Sequence, residues 1–160
     1  MLSPVNLLVV EDSEDDLLLI ERQLRGQCPA ARCTQVSEPG QIANALESPQ
    51  WDAVLVDYHL PGVDFLGLLR DLQTRLPDVP IILVSGNIGE HQAVDLLKAG
   101  VWDFVLKDRL ARLVPAIERG LADAAGRRAR QAAELALQES EARRITKREQ
   151  EHDALADAEA

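Results

Sequence analysis

Acidic, hydroxyl and amino side chains stand at the ends of several short apolar runs in the sequence. Glu11 and Asp12 follow the first run, and Asp57 follows a later one. Ser85 and Lys107 end two further runs in the same way. If these runs are parallel strands, their carboxyl ends meet at one edge of a sheet, where open α/β sheets bind their ligands. The spacing therefore predicts one site built from side chains that are far apart in the sequence.

The residue types at this edge suit metal-dependent phosphoryl chemistry. Three crowded carboxylates repel one another unless a proton or a cation relieves the repulsion. Carboxylates, waters and a phosphate oxygen are the usual ligands of Mg²⁺ in proteins. The Lys107 ammonium can pair with a carboxylate or a phosphoryl oxygen, and the Ser85 hydroxyl can donate a hydrogen bond to a phosphoryl group. An aspartate oxygen that attacks phosphorus forms an acyl phosphate.

The elements that must position these side chains alternate between strands and helices. Most strand-like runs are apolar at consecutive positions, which suits a sheet covered on both faces, and one alternating run suits an edge. Strands are predicted at 7–10, 32–36, 53–56, 81–84 and 104–106, and helices at 14–25, 41–47, 65–75 and 90–99. This order predicts an α/β fold with a doubly wound, five-stranded parallel sheet. Strand order 2-1-3-4-5 would bring Asp12 beside Asp57.

The helix ends carry their own signals. Ser13 is predicted to cap the first helix, with Asp15 and Asp16 in the first turn, where acidic groups suit the helix dipole. Gly26 and Gly100 are predicted to be left-handed C-caps.

Composition excludes several classes of function. The 160 residues carry a formal net charge of −10, and 3% are aromatic. An acidic chain of this kind is not expected to bind nucleic acid or an anionic membrane surface. No apolar run reaches the 18 or so residues that span a bilayer, and two cysteines make no disulfide framework. These features favour a cytoplasmic location.

The last part of the chain differs from the rest. All eight prolines precede Gly126, and residues 126–160 are rich in strong helix formers. We therefore expect a globular domain at 1–125, a short turn at 108–112, and a last helix that runs from near Val114 past Glu151. A seam of period 3.5 starts at Ile117 and is apolar at six of eleven positions, which predicts a weak coiled-coil homodimer. The alternative is a solvated single helix held by i,i+4 ion pairs.

Four segments, 9–12, 54–62, 81–86 and 105–107, carry a resemblance to a known family: VVED, VLVDYHLPG, IILVSG and VLK. Residues 6–122 resemble the receiver domain of two-component response regulators, the CheY-like family. The resemblance implies that Asp57 accepts a phosphoryl group from a histidine kinase or a phosphotransfer protein. It implies Mg²⁺ held by Asp12, Asp57 and the main-chain carbonyl of His59, with Glu11 helping through water.

The resemblance also assigns a switch. Ser85 would be the switch hydroxyl, Phe104 the switch aromatic, and Lys107 the ammonium that contacts the phosphoryl group. The chain departs from the family pattern at Asp108, where proline is common, and at Phe104, which lacks the hydroxyl of the commoner tyrosine. Residues 134–144 resemble the helical lead into PAS sensory domains, which implies an output module outside this chain.

The chain is therefore interpreted as a regulatory module and not as an enzyme. One alternative is a phosphorylation-independent, receiver-like dimerisation scaffold. A flavodoxin-like nucleotide binder would need a glycine-rich first loop, whereas residues 11–16 are EDSEDD. A metal-dependent phosphohydrolase would need a second acid/base group and a cap over the substrate, and neither is evident in the sequence.

Overall fold

The structure is a computed structural model that describes residues 4–48 and 50–159. Strands and helices alternate along the chain. The strands are β1 (Val5–Val10), β2 (Ala31–Val36), β3 (Ala53–Val56), β4 (Ile81–Ser85) and β5 (Asp103–Leu106). The helices are α1 (Glu14–Gln27), α2 (Pro39–Leu46), α3 (Phe65–Arg75), α4 (Glu90–Ala99) and α5 (Leu113–Glu159), with a 3₁₀ segment at Lys107–Arg112. Every predicted strand and helix is present.

The five strands form one parallel sheet in the order β2-β1-β3-β4-β5. Val10 of β1 pairs with Val56 of β3, and Ser85 of β4 pairs with Leu106 of β5. The predicted α/β fold with strand order 2-1-3-4-5 is thereby confirmed. The strand ends that carry the candidate residues lie along one edge, as parallel pairing requires.

Alternate strand residues pack on opposite faces of the sheet, because side chains of a strand point to the two faces in turn. Leu8 and Val10 belong to one cluster, which α2, α3 and α4 cover, whereas Leu7 and Val9 belong to a second cluster under α1 and the start of α5. β2, at an edge, is buried less regularly. The rigid, two-sided packing of the central strands holds the site residues in register.

Two of the three predicted helix caps are confirmed. The Ser13 hydroxyl accepts a hydrogen bond from the amide of Asp16 at 3.3 Å, and Gly100 ends α4 with φ of 115°. The prediction for Gly26 was wrong: α1 continues to Gln27, and Cys28 is the C-cap with φ of −143°. The proline at position 29 explains the difference, because a residue before proline is driven out of the helical region.

The last helix begins at Leu113 and is continuous to Glu159, close to the predicted bounds. The chain divides into two compact units, Met1–Ala124 and Ala125–Ala160. In the second unit most side chains are exposed, including the large apolar ones Leu135, Leu137 and Ile145. The roles of a receiver domain at 1–125 and a signalling linker at 126–160 stay predictions. Across the described residues, no helix has the length and apolar character needed to cross a membrane.

Candidate functional site

Main-chain hydrogen bonds carry the sheet register into the site. The amide of Asp57 donates to the Val10 carbonyl at 2.9 Å, and the amide of Glu11 donates to the Val36 carbonyl at 3.1 Å. The side chain of Gln35 donates to the Glu11 carbonyl at 2.7 Å. The residues that end β1 and β3 are therefore fixed side by side, as the strand order predicts.

Glu11, Asp12 and Asp57 form an acidic cluster at this edge. Each offers a carboxylate oxygen, and the three oxygens lie within 4.8 Å of one another. Glu11 and Asp57 are buried, with 1% and 6% of their surface exposed, whereas Asp12 is exposed. Mg²⁺ prefers a few carboxylate ligands and keeps several waters, so two buried donors and one solvent-facing donor suit it. These residues fit the metal that the sequence predicts.

Lys107 connects this cluster to a carboxylate that the sequence analysis did not include in the site. Its ammonium lies 2.8 Å from Glu11 Oε2, 3.1 Å from Asp57 Oδ2 and 2.7 Å from Asp16 Oδ2. From the sequence, Asp16 is expected only to suit the dipole of α1. Its position, three residues after the N-cap of the helix that follows β1, is the sequence feature that places it near this edge.

Burial and ion pairing act in opposite directions on these groups. Burial lowers the pKa of Lys107, but hydrogen bonds to Asp16, Glu11 and Asp57 outweigh burial and raise its pKa above the usual value. The ammonium is therefore charged at neutral pH. Burial raises the pKa of Glu11, and hydrogen bonds from Lys107 and the Ser13 amide only partly oppose this effect.

The loop after β3 folds back over Asp57. The His59 amide donates to Asp57 Oδ1 at 3.2 Å, so the two oxygens of this carboxylate face different partners. The His59 ring lies 3.2 Å from the Asn87 carbonyl oxygen and contacts the Tyr58 ring edge-on at 5.0 Å. This loop also contains Gly62 with φ of 72°, in the left-handed region that favours glycine. Metal ligation by the His59 carbonyl stays a prediction.

Ser85 and Phe104 lie on neighbouring strands at the other side of Asp57. Ser85 is 1% exposed, and among the described residues its Oγ is the buried side-chain polar atom without a hydrogen-bond partner. An unsatisfied buried hydroxyl costs about 1–3 kcal/mol and calls for an explanation. Phe104 is half-buried against the cluster under α2, α3 and α4, and it pairs with Leu83 of β4. The switch roles of both residues stay predictions.

Comparison with known proteins shows which family this chain resembles. The family model of the response regulator receiver domain matches residues 7–118. The DNA-binding transcriptional regulator NtrC of Escherichia coli K12 is 30% identical over 99 residues, 62% of this chain and 21% of the relative. The cyclic di-GMP phosphodiesterase response regulator RpfG of Xanthomonas campestris is 32% identical over 108 residues, 64% of this chain and 28% of the relative. The chain thus spans between a fifth and a third of the length of these two relatives.

Solved structures agree with this match. The receiver domain of the sensor histidine kinase PA1611 from Pseudomonas aeruginosa, with magnesium in its active-site cleft, has a TM-score of 0.64 and 28% identity. The alignment covers 75% of this chain and 99% of that one. NtrX from Brucella abortus, solved with ATP, has a TM-score of 0.72 over 81% of this chain and 29% of that chain. At 24% identity, this second likeness concerns the fold alone.

Proposed function

Because residues 7–118 make this chain a member of the response regulator receiver domain family, we propose that it is a phosphoacceptor module whose Asp57 is phosphorylated by a histidine kinase or a phosphotransfer protein. It would act as a regulatory domain of a two-component phosphorelay and not as an enzyme. The proposal includes a cytoplasmic location and no nucleic-acid or membrane partner for this domain.

The observation that carries the choice of Asp57 is its place between two different kinds of partner. β3 lies between β1, which leads into Glu11 and Asp12, and β4, which ends at Ser85. Glu11 follows β1, which is not a neighbour of β4, so Asp57 is the carboxylate flanked by both the acidic pair and the buried hydroxyl. A phosphoryl group on Asp57 would give Ser85 Oγ the acceptor that it lacks.

The transfer itself would use groups that lie beside Asp57 in the structure. A carboxylate oxygen of Asp57 attacks the phosphorus of a phosphohistidine, an O–P bond forms, and the P–N bond breaks. The leaving imidazole keeps the electron pair of that bond and takes a proton from solvent. Lys107, already 3.1 Å from Asp57 Oδ2, offers its positive charge to the phosphoryl oxygens.

Glu11, Asp12, Asp57 and the His59 carbonyl would hold Mg²⁺ at the same edge, with Glu11 acting through water. When bound, this ion neutralises charge on the phosphoryl oxygens and admits an anionic donor to an acidic cleft. The chain's own contribution is to keep these donors together and partly shielded from solvent.

The switch would connect the phosphoryl group to the surface of α4, β5 and α5. Once Ser85 turns its hydroxyl towards the phosphoryl group, it vacates space into which the half-buried Phe104 ring can move. Two positions of this ring would form the bistable element. The protein would form a homodimer through α5, and α5 would pass the signal to an output module outside this chain. The unpartnered Ser85 hydroxyl favours this function over a phosphorylation-independent scaffold.

The proposal is tested by weighing the intact protein after incubation with acetyl phosphate and Mg²⁺. We expect one added phosphoryl group in the wild type and in Asp71→Asn, which removes an exposed carboxylate of α3. We expect none in Asp57→Asn, and none in the wild type when the metal is chelated. A phosphoryl group that persists in Asp57→Asn would contradict the assignment.

A further inference from the structure

The Lys107 ammonium forms ion pairs with three carboxylates, and it donates hydrogen bonds to two of them, Asp16 and Asp57. The shortest of the three contacts, 2.7 Å, is with Asp16, on α1, and not with the phosphoacceptor Asp57 at 3.1 Å. The two residues are 91 positions apart in the sequence. Asp16 is the one member of this trio that does not belong to the acidic cluster of Glu11, Asp12 and Asp57.

Local structure holds Asp16 in place. It lies in the first turn of α1, where its amide donates to the Ser13 hydroxyl. The helix therefore fixes the backbone of Asp16 beside the segment that starts at Lys107. The side chain of Asp16 is about one-third exposed and that of Lys107 is 16% exposed, so water weakens this pair less than it weakens an ion pair at the surface.

Metal binding and phosphorylation would affect the three carboxylates around Lys107 differently. A bound metal ion would attract Glu11 and Asp57, and phosphorylation would turn one oxygen of Asp57 into the bridging oxygen of an acyl phosphate. The metal would weaken the hold of both residues on the ammonium, and phosphorylation would weaken that of Asp57. Asp16 neither binds the metal nor accepts the phosphoryl group, so its contact with Lys107 can persist before and after phosphorylation.

We propose that Asp16 is a positioning residue for phosphoryl transfer: it anchors the Lys107 ammonium from the α1 side, before and after Asp57 is phosphorylated. This inference rests on the proposed function. Without the Asp16 carboxylate, Lys107 depends on Glu11 and Asp57 alone, moves closer to them and opposes the metal. Phosphorylation by a small donor then becomes slower, and the acyl phosphate loses an oriented counter-charge.

The test compares Asp16→Asn with Asp15→Asn. Both variants remove one negative charge from the first turn of α1, so they change the helix dipole interaction and the net charge equally. Asp15 is exposed and serves as the matched control. Acetyl phosphate and Mg²⁺ are used as the probe, and intact mass gives the rate of phosphorylation. We expect Asp16→Asn to be slower by about tenfold, the scale of one charge-assisted hydrogen bond, and Asp15→Asn to stay near wild type.

A double-mutant cycle shows whether Asp16 acts through Lys107. In a Lys107→Ala background, Asp16→Asn should cause no further loss of rate. A direct measurement accompanies it: nitrogen-15 NMR of the lysine side chains follows how fast the Lys107 Nζ protons exchange with water. This exchange should be faster in Asp16→Asn than in wild type or Asp15→Asn, which a purely structural role for Asp16 would not produce.

The outcomes separate the two proposals. If the wild type gains no phosphoryl group, the proposed function fails and the inference fails with it. If the wild type is phosphorylated but Asp16→Asn matches Asp15→Asn in rate and in Nζ exchange, the inference alone is overturned. An equal loss of rate from Asp16→Asn with and without Lys107 would also overturn it, because Asp16 would then act by another route.

Discussion

The carboxylates around Lys107 share a cation but occupy different surroundings. Glu11 is almost fully buried, and its two oxygens are divided between the Ser13 amide at 3.1 Å and the Lys107 ammonium at 2.8 Å. Asp16, by contrast, reaches the same ammonium from a partly exposed helix turn. Burial therefore distinguishes Glu11 from Asp16 and from the exposed Asp12, whereas Asp57 is buried as well.

The raised pKa of Glu11 predicts a pH dependence for metal binding. Only the carboxylate form assists Mg²⁺, and a raised pKa means that protonation begins at a higher pH than for an ordinary glutamate. We expect Mg²⁺ affinity, measured by calorimetric titration, to fall as the pH is lowered from neutral to mildly acidic. In Glu11→Gln the affinity should be lower throughout, and its fall should begin at a lower pH. An identical pH profile in the two proteins would contradict this reading of Glu11.

At the residue scale, what the sequence could predict depended on strand ends. Asp57, Ser85 and Lys107 were identified because each follows an apolar run, and parallel pairing then brings those positions to one edge. The contact of Asp16 with Lys107 was not predictable in this way. It depends on how two side chains that are far apart in the sequence are oriented. Acidic residues are also common in the first turn of a helix because they suit the helix dipole, with or without an ion-pair partner.

At the element scale, the strands were predictable because apolar runs buried on both faces leave few alternatives. The ends of the helices were harder to predict from the sequence. Gly100 fits the expected left-handed cap, but α1 continues through Gly26, because the proline after Cys28 determines where that helix can end. A glycine near a helix end is therefore a weaker indicator than a proline just beyond it.

The two glycines of α5 have different surroundings, so replacing each one with alanine should change the free energy of unfolding in opposite directions. A Cβ at Gly120 would lie 2.9 Å from the Pro80 Cβ, whereas a Cβ at Gly126 would meet nothing within 4 Å. Alanine gains about 1 kcal/mol over glycine in a helix interior, but overpacking against a rigid ring costs about 1–3 kcal/mol. Gly120→Ala should therefore lower the free energy of unfolding, by up to about 2 kcal/mol, and Gly126→Ala should not lower it.

Urea unfolding followed by circular dichroism compares the two variants in the full chain. Gly126→Ala serves as the control for helix propensity, because both substitutions add the same methyl group to the same helix. A Gly120→Ala protein as stable as Gly126→Ala would show that the segment before β4 moves aside at little cost.

At the scale of the whole molecule, the chain corresponds to only part of the relatives that it matches. It aligns with 21% of NtrC and 28% of RpfG, proteins whose names describe DNA binding and cyclic di-GMP hydrolysis respectively. If the proposed function is right, the phosphorylated state of Asp57 would be passed on through α5, the helix that continues to Glu159.

The positions of the exposed apolar side chains in residues 126–160 predict which side of the helix pairs with a second copy. Leu135 and Ile145 fall on the seam of period 3.5, and Leu137 lies two residues from Leu135. At about 100° per residue, Leu137 therefore points to the opposite side of the helix. All three are more than half exposed, so each is free to meet a second copy. If the seam is the interface, Leu135 and Ile145 contribute to it and Leu137 does not.

Replacing seam and off-seam residues in the full chain tests this arrangement. The double variant Leu135→Asn, Ile145→Asn removes two of the six apolar seam positions. We expect this variant to weaken the dimer by at least tenfold, because burying one leucine stabilises by about 1.5–3 kcal/mol. Leu137→Asn removes one exposed leucine, as Leu135→Asn does on the seam, and should leave the dimer unchanged. Sedimentation equilibrium at micromolar concentration gives the dissociation constants. A monomeric wild type, or an equal effect of Leu137→Asn, would show that the seam is not the dimer interface, because a two-stranded coiled coil buries only one side of each helix.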